Sequence, residues 1–146
     1  TTKGISELSV EYDIIGQVET VSVRGTDYGS LELISAKRKL SNTISNSNRA
    51  KQIISGSERI YVDSSVKSVG DADYRLENAV ESITYGFGNM YCRCTGMPEL
   101  KPGNFIEIEG MGQPPSNKFY VVEVKHIIDD EEGYITELKG RTDKIK

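Results

Sequence analysis

The feature that most constrains this sequence is a pair of long β-type runs on either side of one short acidic turn. Residues 118–128 and 134–141 are separated by Asp129-Asp130-Glu131-Glu132-Gly133. Val, Ile, Tyr, Phe and Thr make up about half of the two runs, and Asp, Glu and Gly supply the turn. The segment therefore predicts an antiparallel hairpin, with Tyr134 and Thr136 opposite Val122 and Val124.

Punctuated strands account for much of the remaining chain. Leu8-Ser9-Val10-Glu11-Tyr12 alternates apolar and polar residues, as do residues 18–24, which place Val21 and Val23 on one face. Gly25-Thr26-Asp27-Tyr28-Gly29 reads as a turn, and residues 31–34 resume the β pattern. Residues 89–95 set Met90, Cys92 and Cys94 on one face and Tyr91 and Arg93 on the other. Residues 96–103 form a tight double turn ending in Pro102-Gly103, and residues 104–109 alternate cleanly. Gly110 and Gly112 open a loop over residues 110–117. Residues 41–50 are rich in Ser and Asn and too polar for a core, which predicts a long exposed loop open to proteolysis. Ile53, Ile54, Ile60, Tyr61 and Val62 then suggest a short return to strand.

One helix is expected, over about residues 70–86, because Ala72, Leu76, Ala79, Val80, Ile83 and Phe87 recur at helical spacing. Ser68 or Asp71 caps its start, Asp71 and Asp73 suit the positive end of its dipole, and Gly86 and Gly88 end it. A stripe of this kind ordinarily serves the helix's own core. The reading is a mainly β (α+β) fold: a small β-barrel of about six to eight strands with one packed α-helix, in a single domain over residues 1–146. No internal repeat is visible.

Several function classes are disfavoured. A net charge of −4 argues against a nucleic-acid binder, and no apolar run reaches the length of a membrane helix, so no membrane insertion is expected. The chain opens on Thr1 without a signal-like segment, as a piece of a longer protein or a processed chain would. Cys92 and Cys94 lie two apart, about 6.5–7 Å between Cα atoms in a strand, and read as two small hydrophobes on a buried face. A lone cysteine pair fits synthesis in a reducing compartment. His126 is the single histidine, with no nucleophile motif, and reads as a structural strand residue. The run 129–133 lacks the ligand spacing of a calcium loop and reads as a solvated tip. Gly86-x-Gly88 follows a helix instead of opening one and is no phosphate loop. No catalytic, cofactor-binding or metal-binding residue is assigned, and a non-enzymatic role is expected.

Taken in order, several of these segments resemble one family. After the amphipathic helix come Gly96-Met97-Pro98-Glu99-Leu100-Lys101-Pro102-Gly103 and Ile106-Glu107-Ile108-Glu109-Gly110-Met111-Gly112. Phe119-Tyr120-Val121-Val122-Glu123-Val124-Lys125-His126 follows, then Gly133-Tyr134-Ile135-Thr136-Glu137 with Arg141. The pattern resembles the phage late control protein D family of tail-hub proteins, and is similar to the hub part of spike proteins of type VI secretion and other contractile injection systems. Val21-Ser22-Val23-Arg24-Gly25-Thr26-Asp27 resembles a strand and turn ahead of that helix. Residues 30–65 match poorly.

The resemblance implies a baseplate hub domain linking tail tube and spike. It implies two related barrels per full-length chain and a homotrimer that presents a pseudo-sixfold ring to the tube. It places the protein in a virion tail or phage-like particle made in the bacterial cytoplasm, with this chain as one barrel-plus-helix part. Two other classes compete. A free-standing β-barrel that binds sugar or peptide would need an exposed aromatic groove built from some of Tyr12, Tyr28, Tyr61, Tyr85 and Tyr91. A cell-wall hydrolase would need paired carboxylates in one cleft, and the sequence places none of Glu107, Glu109 and Glu123 in one.

Overall fold

The computed structural model describes residues 4–40, 48–112 and 115–144. In chain order they form β1 (Ile5–Tyr12), β2 (Thr20–Thr26), β3 (Leu33–Lys39), α1 (Asn48–Ile54), β4 (Glu58–Val62), α2 (Val69–Thr84), β5 (Gly88–Thr95), β6 (Phe105–Glu107), β7 (Lys118–Asp129) and β8 (Gly133–Thr142). The protein is mainly β, as expected. Its eight described strands divide between a curled, half-barrel sheet of five and a sheet of three. The chain falls into two compact units, Thr1–Asp13 with Gly86–Lys146, and Ile14–Tyr85 between them.

The first unit is the five-stranded sheet, in the order β1-β5-β8-β7-β6. Its core face carries Met90, Cys92, Cys94, Phe119 and Leu138, joined by Leu100 and Ile108, with Leu8, Val10 and Val124 packed against them. The hairpin of β7 and β8 forms as expected but in another register. Tyr134 faces Ile128 and Thr136 faces His126, while the ladder shifts between Val121 and Glu123. The turn sets this register. Asp129 pairs with Gly133, Gly133 takes φ +74°, and the Asp129 carboxylate accepts the N–H groups of Glu131 (3.0 Å) and Glu132 (2.6 Å). Gly103, at φ +93°, turns the chain toward β6 and donates its N–H to Val121 O at 2.8 Å.

The second unit is the sheet β3-β2-β4 covered by α2. Alternation in β2 turns Val21 and Val23 into the core, where they meet Ala72, Leu76 and Ile83 of α2 together with Ala36, Leu40 and Val66. Full burial of one such aliphatic side chain stabilises the fold by about 1.5–3 kcal/mol. Ser68 is the N-cap of α2: its Oγ accepts the Asp71 N–H at 3.1 Å, and the Asp71 carboxylate accepts the Lys67 N–H at 3.2 Å. At the other end the Tyr85 N–H bonds Glu81 O. Phe87 is not part of the helix stripe. It belongs to the first unit and packs on Tyr12 at 5.5 Å between ring centroids.

Two further expectations need correction here. Ile53 and Ile54 are helical, within α1, and so is Arg49. Ala, Lys, Gln and Arg at residues 49–52 favour helix, Ile54 is buried while Ile53 is exposed, and Gly56 at φ +77° ends the turn that follows. Of the expected Ser/Asn loop, residues 41–47 lie outside the described residues. Gly25 is not a turn residue but sits inside β2, and the turn begins at Asp27. Ile60, Tyr61 and Val62 do form a strand, β4, paired in parallel with β2.

That turn holds Leu31 at φ +59° with the side chain 79% exposed. Asp27 fixes it: Asp27 O accepts the Leu31 N–H at 2.7 Å, and its carboxylate accepts Gly29 N–H and Ser30 Oγ–H. A left-handed conformation costs a side-chain-bearing residue roughly 1–2 kcal/mol, and glycine's extra chain entropy offsets part of the gain. Leu31→Gly is expected to stabilise the chain by about 0.5–1 kcal/mol in urea titration. A loss of stability would show that the leucine side chain packs more than its exposure indicates.

Six carboxylates in the second unit are held below their ordinary range. The Ser22 hydroxyl and then Lys37 lower Glu58, the Ser65 hydroxyl and N–H lower Asp63, and the Ser68 side chain lowers Asp71. Lys39 and the Gly56 N–H lower Glu19, the Gly29 N–H lowers Asp27, and Arg38 lowers Glu77. A carboxylate depressed by folding adds stability above its unfolded value and withdraws it as pH falls through the folded value. The ordinary values are 3.8 for Asp and 4.5 for Glu. Amide protection in residues 14–85, after correction for the intrinsic pH dependence of exchange, is therefore expected to be level above about pH 5 and to fall on acidification below about pH 4. Unchanged protection at pH 3 would contradict it.

Candidate functional site

The curl of the five-stranded sheet makes an apolar groove of about 280 Å³ in the first unit. Its floor is Cys92 and Cys94 of β5 with Leu138 of β8. Met97, Leu100, Ile5 of β1, Ile106 and Ile108 complete the apolar lining. Ile106 and Ile108 alternate with Glu107 and Glu109, so the same segment supplies apolar walls and an acidic rim. Nothing on the floor is a strong hydrogen-bond donor. Its floor suits aliphatic side chains.

The cysteines lie on one buried face, as expected, and neither is in a disulfide. Burial pushes the Cys92 thiol up to about 12, with the neighbouring Cys94 adding to the shift. A thiol held that high is neither a nucleophile nor a ready metal ligand at neutral pH. Cys94 Sγ lies 3.8 Å from Met97 Sδ and 3.6 Å from Thr136 O.

His126 is exposed, with Nδ1 at 2.9 Å from Tyr134 OH and 3.2 Å from Thr136 Oγ1. Thr136 Oγ1 also accepts the Met97 N–H at 2.8 Å, tying the hairpin to a residue that lines the groove. His126 thus links two neighbours on its own hairpin, a structural arrangement. His126→Gln is expected to change stability by less than about 1 kcal/mol in thermal unfolding, and a larger loss would mark the ring as a key strut.

Two of the three carboxylate candidates come together and the third does not. Glu107 and Glu109 share the groove, but Glu123 pairs with Lys139 at 2.9 Å and lines a separate depression with Tyr91 and Arg141. The acidic tip is a built turn in which Glu132 pairs with Arg93. Among the described residues, no group of three or more His, Cys, Asp or Glu is placed to hold a metal. Tyr12 accepts a hydrogen bond from Asn117 Nδ2 (3.0 Å) on the core side, whereas Tyr91 pairs with Ser9 on the outer face. In the second unit Tyr28 is at the β2–β3 turn, Tyr61 lies on β4 beside Val23 and Ala79, and Tyr85 caps α2. Ile106 and Ile108 were legible as an alternating pair. That Ile5 lines the groove with them was not, because it depends on which strands become the edges.

No protein-family model and no curated protein matches the chain. Solved structures do share the fold. The tail protein from Neisseria meningitidis MC58 aligns over 95% of this chain and 40% of its own, with TM-score 0.67 and 11% identity. The 43 kDa tail protein of prophage MuSo2 from Shewanella oneidensis aligns over 94% and 40%, with TM-score 0.68 and 11% identity. A chain of the virion of a native gene transfer agent particle aligns over 96% and 30%, with TM-score 0.55 and 10% identity. The chain thus spans about two fifths of the length of the two tail proteins it matches.

Proposed function

We propose that this chain is a structural segment of a phage tail or phage-like particle, and within it the baseplate hub part that links tail tube and spike. The observation that carries the reading is the fold shared over nearly the whole chain with tail proteins from two different bacteria. The ordered motifs that resemble late control protein D favour the hub over other tail parts. Residues 1–146 then form one domain-sized segment of a longer hub protein. The role is assembly, with no catalytic, cofactor or metal residue assigned, and its place is the particle tail after synthesis in the bacterial cytoplasm.

In the full-length protein this reading expects a homotrimer whose subunits meet through a heterologous interface that closes into a ring. Each interface should bury well over about 1,000 Å². Light scattering on the full-length protein tests it, together with co-purification of a tail-tube protein expressed from the same gene cluster. A trimer that retains the tube protein is expected. A stable monomer at micromolar concentration with no tube association overturns the hub assignment.

A further inference from the structure

The three-stranded sheet of the second unit ends in β3 on one side and β4 on the other, and neither has a further strand neighbour among the described residues. An edge strand of this kind is a template for pairing with another chain. Every residue of β4 is exposed, Val62 at 81%. Strand pairing sets Glu58, Ile60 and Val62 on the sheet face opposite Val21 and Val23, the face that also carries Lys37, Ser35 and Leu33, the last 71% exposed. The backbone is open on both edges. Beside β4, the Thr20 N–H bonds Ser57 O and the Asp63 N–H bonds Arg24 O, so residues 58, 60 and 62 turn their N–H and C=O groups away from β2. Beside β3, the Asp27 N–H bonds Glu32 O and the Leu40 N–H bonds Glu19 O, which leaves residues 33, 35 and 37 turned outward. On both edges the outward-turned residues thus carry their side chains on the same face.

We propose that β4 of one copy pairs antiparallel with β3 of a second copy, continuing the sheet from chain to chain. The side chains select this occupant. β4 runs from acidic Glu58 to apolar Val62, and β3 runs from apolar Leu33 to basic Lys39. Antiparallel alignment with Val62 opposite Leu33 sets Ile60 opposite Ser35 and Glu58 opposite Lys37 on one face. On the other face Tyr61 meets Ile34 and Arg59 meets Ala36. No like charges meet, and the two most exposed apolar side chains of the sheet cover each other. Glu58 has capacity for the added lysine: Ser22 and Lys37 of its own chain both contact Oε1, and Oε2 has no partner among the described residues. Pairing like edges fits worse. Antiparallel β4 on β4 about Ile60 puts Glu58 beside Val62, and β3 on β3 about Ala36 puts Lys39 beside Leu33. The arrangement is therefore head to tail, and both halves of the match are present in this one chain. The inference rests on the assembly reading only in that copies of the chain meet.

The test places one cysteine on each edge of the 146-residue chain. Residues that exchange both backbone hydrogen bonds across an antiparallel pair lie about 5.5 Å apart at Cα, within the span of a disulfide. Leu33→Cys and Val62→Cys chains are mixed at millimolar concentration, oxidised and run on a non-reducing gel. The parent chain, whose Cys92 and Cys94 are buried, is the control. A covalent dimer is expected in the mixture and in neither variant alone. Adding Glu58→Lys to the Val62→Cys chain is expected to lower the yield about tenfold, because two lysines then face each other. Adding Lys37→Glu to the Leu33→Cys chain as well should restore it, a rescue between chains that altered folding cannot produce. Circular dichroism checks that each variant is folded. Cross-linking by either single variant alone would assign the edges to like-with-like pairing and overturns the proposal. Absence of cross-linking in the mixture, which would leave the edges to a different protein, overturns it too, as does failure of the rescue. A full-length trimer that lacks this cross-link overturns the edge pairing alone. A full-length protein that cross-links here but holds no tube protein overturns the hub assignment alone.

Discussion

Replacing Phe119 with alanine is expected to destabilise the first unit by about 3–5 kcal/mol, the usual range for truncating a fully buried aromatic. Phe119 is 0% exposed, faces Ile106 across the β6–β7 ladder, and belongs to the cluster that includes Met90, Cys92 and Leu138. The β-carbon of Phe119 is also 3.0 Å from the position a Cβ on Gly140 would take, so the neighbouring strand already sits close. Little room remains for collapse around the lost ring, and the transfer and cavity contributions add. Urea denaturation gives the loss directly. A change below about 1 kcal/mol would mean that the sheet closes over the gap, in which case its curl is softer than this packing implies.

Gly25→Ala is expected to remove about 3 kcal/mol, at the upper end of the overpacking range. A Cβ at this position would lie 2.5 Å from Val66 O and 2.6 Å from Val66 Cβ. Val66 is fully buried, and its N–H bonds Asp63 O at 3.2 Å in the turn between β4 and α2. The obstacle is backbone, so a rotamer change cannot relieve it. Either β2 bends away from that turn or the turn moves and carries the start of α2 with it. Thermal unfolding of the variant beside Gly25→Ser measures the effect, with both expected to lose stability. A variant within about 0.5 kcal/mol of the parent would show that the turn yields freely.

These two positions show what was legible in the sequence. The hairpin of β7 and β8 and the helix stripe through Ala72, Leu76 and Ile83 were readable because period and turn chemistry are local properties. Gly25 was read as a turn because a glycine looks the same whether it frees φ or removes a Cβ in front of Val66. Ile53 and Ile54 looked like strand because a short apolar pair has no period of its own, and the buried neighbours of Ile54 decided the matter. Phe87 continued the helical spacing but is held by Tyr12, a residue from far earlier in the chain. Of the groove, the alternation of Ile106 with Glu107 and of Ile108 with Glu109 was visible. That Ile5 lines the same groove was not, since it follows from β1 pairing with β5 across the whole intervening unit.

That pairing has a kinetic consequence. Translation at about 5–20 residues per second leaves β1 waiting several seconds while residues 14–85 are made, with Ile5, Leu8 and Val10 lacking the strand they will lie against. Joining two strands across a flexible linker of that length carries a closure entropy that grows with its logarithm. A linker that has already folded does not. Gln17 Nε2 donates to Ile83 O at 2.6 Å, so folding of the inserted unit ties its own entrance to its exit. The Asp13 N–H then meets Phe87 O at 2.9 Å, where the two halves of the sheet begin. The inserted unit is thereby expected to act as a clasp in nascent-chain folding. A ribosome-stalling series should show protease resistance arising first in residues 14–85, with β1 protected only after β5 has cleared the exit tunnel.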